Sequence, residues 1–199
     1  MKRISILELV LLISCSAFLL RACIGLIAER SRAQGIERCT IDYDPGLGIP
    51  RMVAWSIHPE DIGKVKRDPS FKFKPDKTQP RPWVRSSHYS RSGYQRGHMC
   101  PAADRSADRS SMKSTFIMSN VCPMGAWLNQ KNWKILEIMA RDQAKTYGSC
   151  SVLAAPIFFP DDTAWIGRGR VAVPHAFFRA HIIPGRTSWR DIWILNNRK

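Results

Sequence analysis

Asn129-Gln130-Lys131-Asn132-Trp133-Lys134-Ile135-Leu136-Glu137-Ile138-Met139-Ala140-Arg141 carries the clearest periodicity in this chain. Trp133, Leu136, Ile138 and Met139 supply apolar positions, Lys131, Lys134, Arg141 and Lys145 supply polar ones, and Gly148 marks a stop. The spacing predicts a helix over Asn129–Thr146. On that helix Asn129, Trp133, Glu137 and Arg141 stand four residues apart. Each step of four advances only about 40° around the axis, so an amide, a carboxylate and a guanidinium fall along one stripe. Singly, each has an ordinary explanation. Asparagine caps helices, and Glu137 with Arg141 has the spacing of an exposed ion pair worth a few tenths of a kcal/mol.

Outward from the helix, the pattern changes to short runs of β-formers. Met52–Ile57, Phe116–Val121, Ser151–Phe159, Val171–Pro174, Phe177–Ile183 and Asp191–Leu195 read as strands, and Gly93–Pro101 as a turn entering an extended segment. Ala33–Pro50 reads as irregular, and Lys64–Pro82, dense in Lys, Arg, Asp and Pro, as a basic surface loop. Together these predict an α+β fold, with a mixed or largely antiparallel sheet and packed helices.

The bulk properties set limits. At 199 residues with 44% hydrophobic content, the chain suits one folded domain rather than a disordered segment. Thirty-one Lys+Arg against 16 Asp+Glu give a net charge of +15, which favours a polyanionic partner, either nucleic acid or an anionic membrane surface. Lys2 and Arg3 precede an uncharged run from Leu9 to Leu20, so residues 1–33 read as a signal peptide or an N-terminal membrane anchor, with 34–199 as a single domain. Export to the cell envelope, the periplasm or the medium is the favoured reading. Membrane attachment and a mitochondrial presequence are the alternatives. Cys15 and Cys23 lie in the leader, and Cys39, Cys100, Cys122 and Cys150 remain, enough for two disulfides with three connectivities. No CxxC pair supports a zinc ribbon.

Arg96-Gly97-His98 alone is weak, because single histidines are more often structural than catalytic; His58, His88, His175 and His181 are read that way. Its combination with the helix stripe is specific. In order, Arg96-Gly97-His98, Ser119-Asn120, Pro123, Asn129, Trp133, Leu136-Glu137 and Arg141 resemble the DNA/RNA non-specific endonuclease family of the ββα-metal (His-Me finger) superfamily. Two positions depart from the family pattern: Gln95 stands where the family has Asp, and Met124 follows Pro123 where it has Gln.

The resemblance implies a ββα-metal finger active site and hydrolysis of phosphodiester bonds in DNA and RNA with little sequence preference. It makes His98 the general base and Asn129 the direct ligand of Mg²⁺, with Mn²⁺ as a substitute. Glu137 would reach the ion through water, and Arg96 and Arg141 would grip the scissile phosphate. Asn120 joins the catalytic set, and Trp133 reads as core. Pairing of the two strands of the motif would bring Cys100 and Cys122 together as a disulfide. The alternative of another class is a catalytically weakened nucleic-acid-binding protein of the same fold, for which Gln95 is the one motif-level argument.

Overall fold

A computed structural model describes residues 39–159, 163–183 and 191–198; the leader expectations lie outside the described residues. In chain order the strands are β1 (Cys39–Asp44), β2 (Ile49–Ile57), β3 (Gln95–His98), β4 (Val121–Met124), β5 (Cys150–Ile157), β6 (Ala164–Ile166), β7 (Val171–Val173), β8 (Ala176–Ile182) and β9 (Asp191–Asn196). Two α-helices, α1 (Arg109–Ser114) and α2 (Trp133–Tyr147), join them. Five strands form one sheet in the order β1-β2-β5-β8-β9, while β3–β4 and β6–β7 are separate two-stranded ribbons. Every named strand pair is antiparallel, so the α+β expectation holds in its antiparallel form. Among the described residues no helix is long and apolar enough to cross a membrane.

The core lies between the sheet and α2. Trp133, Leu136, Ala140 and Ala144 are the buried side chains of the helix. Their steps of three, four and four keep them on one face, with the Trp133 ring edge-on to Phe177 of β8 at 5.5 Å. Burying a side chain such as Ile57 or Phe177 completely stabilises the fold by roughly 1.5–3 kcal/mol. The helix stops at Gly148, whose φ of 84° is the left-handed geometry of a C-terminal cap.

The helix begins differently from the sequence expectation. Leu128–Asn132 forms a π-turn, with the Trp133 amide donating to Leu128 O, before regular α-helix takes over. Such turns are rare and gather at functional sites. The strand expected at Phe116–Val121 is displaced: Met118–Asn120 is a 3₁₀ turn, and pairing begins only at Val121. The Asn120 side chain bonds the Cys100 backbone and Thr115 O, which favours a turn over a ladder at that point. Ala33–Pro50 is not wholly irregular, because β1 occupies Cys39–Asp44. Its Cys39, Ile41 and Tyr43 are buried in alternation, the pairing register with β2 shifts at Asp42/Tyr43, and Asp42 and Asp44 face Arg51 on the neighbouring strand.

Candidate active site

β3 places His98. Gly97 lies opposite Cys122 and His98 opposite Val121 in the β3–β4 ladder. Glycine is required beside the histidine, since a Cβ at Gly97 would run into the Met124 side chain. The imidazole packs against Phe73 at 4.7 Å and edge-on to Phe116 at 4.9 Å. Its Nε2 is enclosed and finds no hydrogen-bond partner among the described residues. Trp133 Nε1 donates to the His98 carbonyl at 3.1 Å, tying α2 to the ribbon. Burial, with a smaller contribution from the Arg67 charge, pulls the His98 pKa down to about 3. The ring is therefore neutral at neutral pH, the state a general base requires.

A cavity of about 800 Å³ opens between this ribbon and the start of α2. Arg96, His98, Asn129, Glu137 and Arg141 all line it, as do Arg67 and Lys134. Asn129 sits on the π-turn and donates through Nδ2 to Gln95 Oε1 at 2.8 Å. That bond orients the carboxamide and leaves its oxygen as the group available to a cation. Burial, then the nearby Asp104 charge, pushes the Glu137 pKa up to about 7. Arg141 pairs with buried Asp104 through Nη1 at 2.8 Å rather than with Glu137 at (i, i+4). The second Asp104 oxygen accepts from Trp55 Nε1 at 2.9 Å. Arg96 donates to Ser86 O at 3.3 Å, which braces it against the segment before β3.

Five of the sequence-derived site residues thus share one cavity. Asn120 does not. It is fully buried, with Oδ1 accepting from Cys100 N and Nδ2 donating to Cys100 O and Thr115 O, so its bonding capacity goes into bracing the ribbon. The Cys100–Cys122 bridge is not formed, and all four described cysteines are free thiols. Cys122 faces Gly97 in the ladder, whereas Cys100 lies past the end of β3 and its thiol meets that of Cys39. Trp133 is core, as its apolar character implied.

Sequence reasoning missed Lys134, Arg67, Phe73, Phe116 and Asp104. Lys134 had a signal: Gln130, Lys134, Glu137 and Arg141, with steps of four, three and four, form the row that lines the cavity, and Trp133 belongs to the adjacent core stripe. Arg67 and Phe73 come from the segment read as a solvated loop. Its packing depends on distant partners, among them Ser119 Oγ, which donates to Asp76 at 2.6 Å.

No group of three or more His, Cys, Asp or Glu side chains able to hold a metal ion exists among the described residues. What the cavity offers is an amide oxygen and one carboxylate, hard donors in small number. This set fits Mg²⁺, which keeps most of its own waters and takes one or two protein ligands.

Residues 29–197 match the family described as DNA/RNA non-specific endonuclease. A nuclease from Nostoc sp. is 31% identical over 148 residues, covering 72% of this chain and 51% of that protein. Mitochondrial endonuclease G of Bos taurus is 30% identical over 169 residues, covering 80% and 55% respectively. The chain therefore spans about half the length of these relatives. A crystal structure of the EndoG/EndoGI complex superimposes with a TM-score of 0.70 at 26% identity, over 81% of this chain and 72% of that one.

Proposed function

The chain belongs to the DNA/RNA non-specific endonuclease family, and on that premise we propose that it hydrolyses phosphodiester bonds in DNA and RNA without strong sequence preference, with His98 as general base. The observation that carries this reading is the convergence of neutral His98, the oriented Asn129 carboxamide, Glu137 and two arginines on one cavity.

His98 takes a proton from the attacking water. Nδ1 is the nitrogen left for that transfer, because Nε2 is enclosed. The water oxygen bonds to phosphorus as the bond to the leaving oxygen breaks. Arg96 and Arg141 hold the non-bridging oxygens through charge-assisted hydrogen bonds. Asn129 would hold Mg²⁺, or Mn²⁺ in its place, directly and Glu137 through water; when bound, the ion stabilises charge on the phosphate and on the departing oxygen. Gln95 removes a carboxylate from the family pattern, yet its amide still positions Asn129, which favours an active enzyme over a binding-only protein. Because the contacts are to phosphate rather than to bases, binding should weaken steeply with salt.

Supercoiled plasmid and RNA incubated with the purified protein test this directly. Degradation of both in Mg²⁺, abolished by EDTA, supports the proposal; retardation of nucleic acid without cutting contradicts it. The N-terminal segment we assign to export, which N-terminal sequencing of the mature protein and fractionation of the producing cells would check; recovery in mitochondria would overturn it.

A further inference from the structure

Beside the site, a second cavity of about 740 Å³ is built from the 86–94 segment and the β6–β7 hairpin. We propose that it is a nucleic-acid subsite, stacking a base on Trp165 and holding phosphate oxygens with Arg91 and Arg168, for nucleotides flanking the bond that is cut. This rests on the proposed nuclease reading.

Among the described residues its lining holds no acidic side chain, and it includes His88, Arg91, Tyr94, Trp165 and Arg168. The charges of Arg170 and Arg85 act on His88, adding to burial in holding its pKa below the ordinary value. Such a surface attracts anions. Trp165 is 44% exposed, an indole face left available at the rim, and aromatic faces of this kind stack bases with little regard to sequence.

The backbone points the same way. Among the described residues the non-glycine positions with positive φ are Arg91 at 57° and Arg168 at 59°, and both line this cavity. Glycine or asparagine would adopt that conformation at less cost. Retaining arginine at both positions suits a place where charge is used. The two walls are also fixed against each other: a Cβ at Gly167 would come 2.5 Å from His88 Cβ, so the hairpin tip fits closely on the 86–94 segment.

Continuity with the active site follows from β3. Tyr94 is four residues from His98, about 13 Å of extended chain. That is about four nucleotide steps along a stacked strand. Tyr94 immediately precedes β3, whose alternation puts Arg96 and His98 on one side, and Arg96 is bonded to Ser86 O at the end of the second wall. A strand bound at His98 therefore has a basic, aromatic path along which to continue.

Trp165→Ala and Arg168→Gly, the latter removing charge at a backbone glycine accepts, separate the possibilities. Two substrates are compared: a 16-nucleotide single strand, and the p-nitrophenyl ester of thymidine 5′-phosphate, too short to reach Trp165. For Trp165→Ala, KM on the long strand rises about tenfold with kcat unchanged, the small ester is cut as before, and Trp165→Phe restores most of the loss. Arg168→Gly lowers the salt dependence of binding by about one unit of slope. An unchanged KM on the long strand, or an equal loss on both substrates, would overturn the subsite. If the unsubstituted protein cuts neither substrate, the nuclease reading fails on its own. Fluorescence anisotropy with the labelled strand then still decides, since equal affinity of the unsubstituted and Trp165→Ala proteins rejects the subsite.

Discussion

The two cavities are both basic, and they are built in opposite ways. Around His98 the functional groups are locked to neighbours: Asn129 to Gln95, Arg141 to Asp104, Arg96 to Ser86. Burial there shifts the pKa of both His98 and Glu137. Around Trp165 the arginines stand on strained loops and the indole is open to solvent. Fixed geometry and displaced pKa values suit bond making and breaking, whereas loosely held charge with an aromatic face suits retention of a polymer. Substitutions in the first cavity should therefore strike turnover, and those in the second should strike KM.

Asn129→Ala should show the largest contrast, with cleavage falling at least about 100-fold in initial rate, because a bound cation supplies several kcal/mol at the phosphate. Gln95→Ala comes next. Loss of an orienting partner weakens metal binding by about 10–100-fold, so the Mg²⁺ concentration for half-maximal rate rises while the rate at saturating Mg²⁺ recovers. A Gln95→Ala enzyme with an unchanged Mg²⁺ titration would mean that the bond to Asn129 is incidental.

The pH dependence gives a smaller, graded effect. Glu137 is raised from 4.5 to about 7. The folded protein alone thus holds an extra proton between these values and loses that share of stability as pH rises through 7. His98, lowered from 6.5 to about 3, works the other way and costs stability as pH falls through that window. A cation needs Glu137 ionised, so the Mg²⁺ requirement should rise as pH drops from 8 to 6, by up to about tenfold per unit below 7. Equal Mg²⁺ titrations at pH 6 and pH 8 would contradict this.

Stability should separate the cavities as well. Breaking the buried Asp104–Arg141 pair with Asp104→Asn should cost roughly 3 kcal/mol, or about 6–12 °C in Tm at this chain length. Arg168→Gly should leave Tm within about 2 °C. Matching Tm losses in the two variants would erase the distinction drawn between a locked site and a loose one.

Much of the fold was legible because its elements carry their own periodicity. α2, β2, β5, β7 and β8 bury apolar residues, β9 half-buries Trp193 and Leu195 at alternate positions, and the predicted segments overlap each of them. β1 was hidden by Asp42 and Asp44, turn-forming residues that here pair with Arg51 across the ladder. The Phe116–Val121 strand was misplaced because Asn120 bonds distant backbone, a fact with no local signature. In the site, the spacing of Asn129, Glu137 and Arg141 was visible, but His98 gained its weight from the family resemblance. Phe73 and Arg67 were not legible, since only the tertiary fold brings them against residues some 25 to 50 positions away. The family motif implied Cys100 and Cys122 as partners; Cys122 instead faces Gly97 in the ladder, with Cys100 past the end of β3.

In the proposed reaction, neutral His98 takes the proton of the attacking water in a cavity that binds phosphate by other groups. Single-turnover cleavage of a labelled oligonucleotide by the unsubstituted protein and by His98→Ala, with binding affinity measured in parallel in Mg²⁺, tests it most directly. His98→Ala should lower the cleavage rate by about 10²–10⁴-fold with affinity changed less than about threefold. Cleavage by His98→Ala within tenfold of the unsubstituted rate would contradict it.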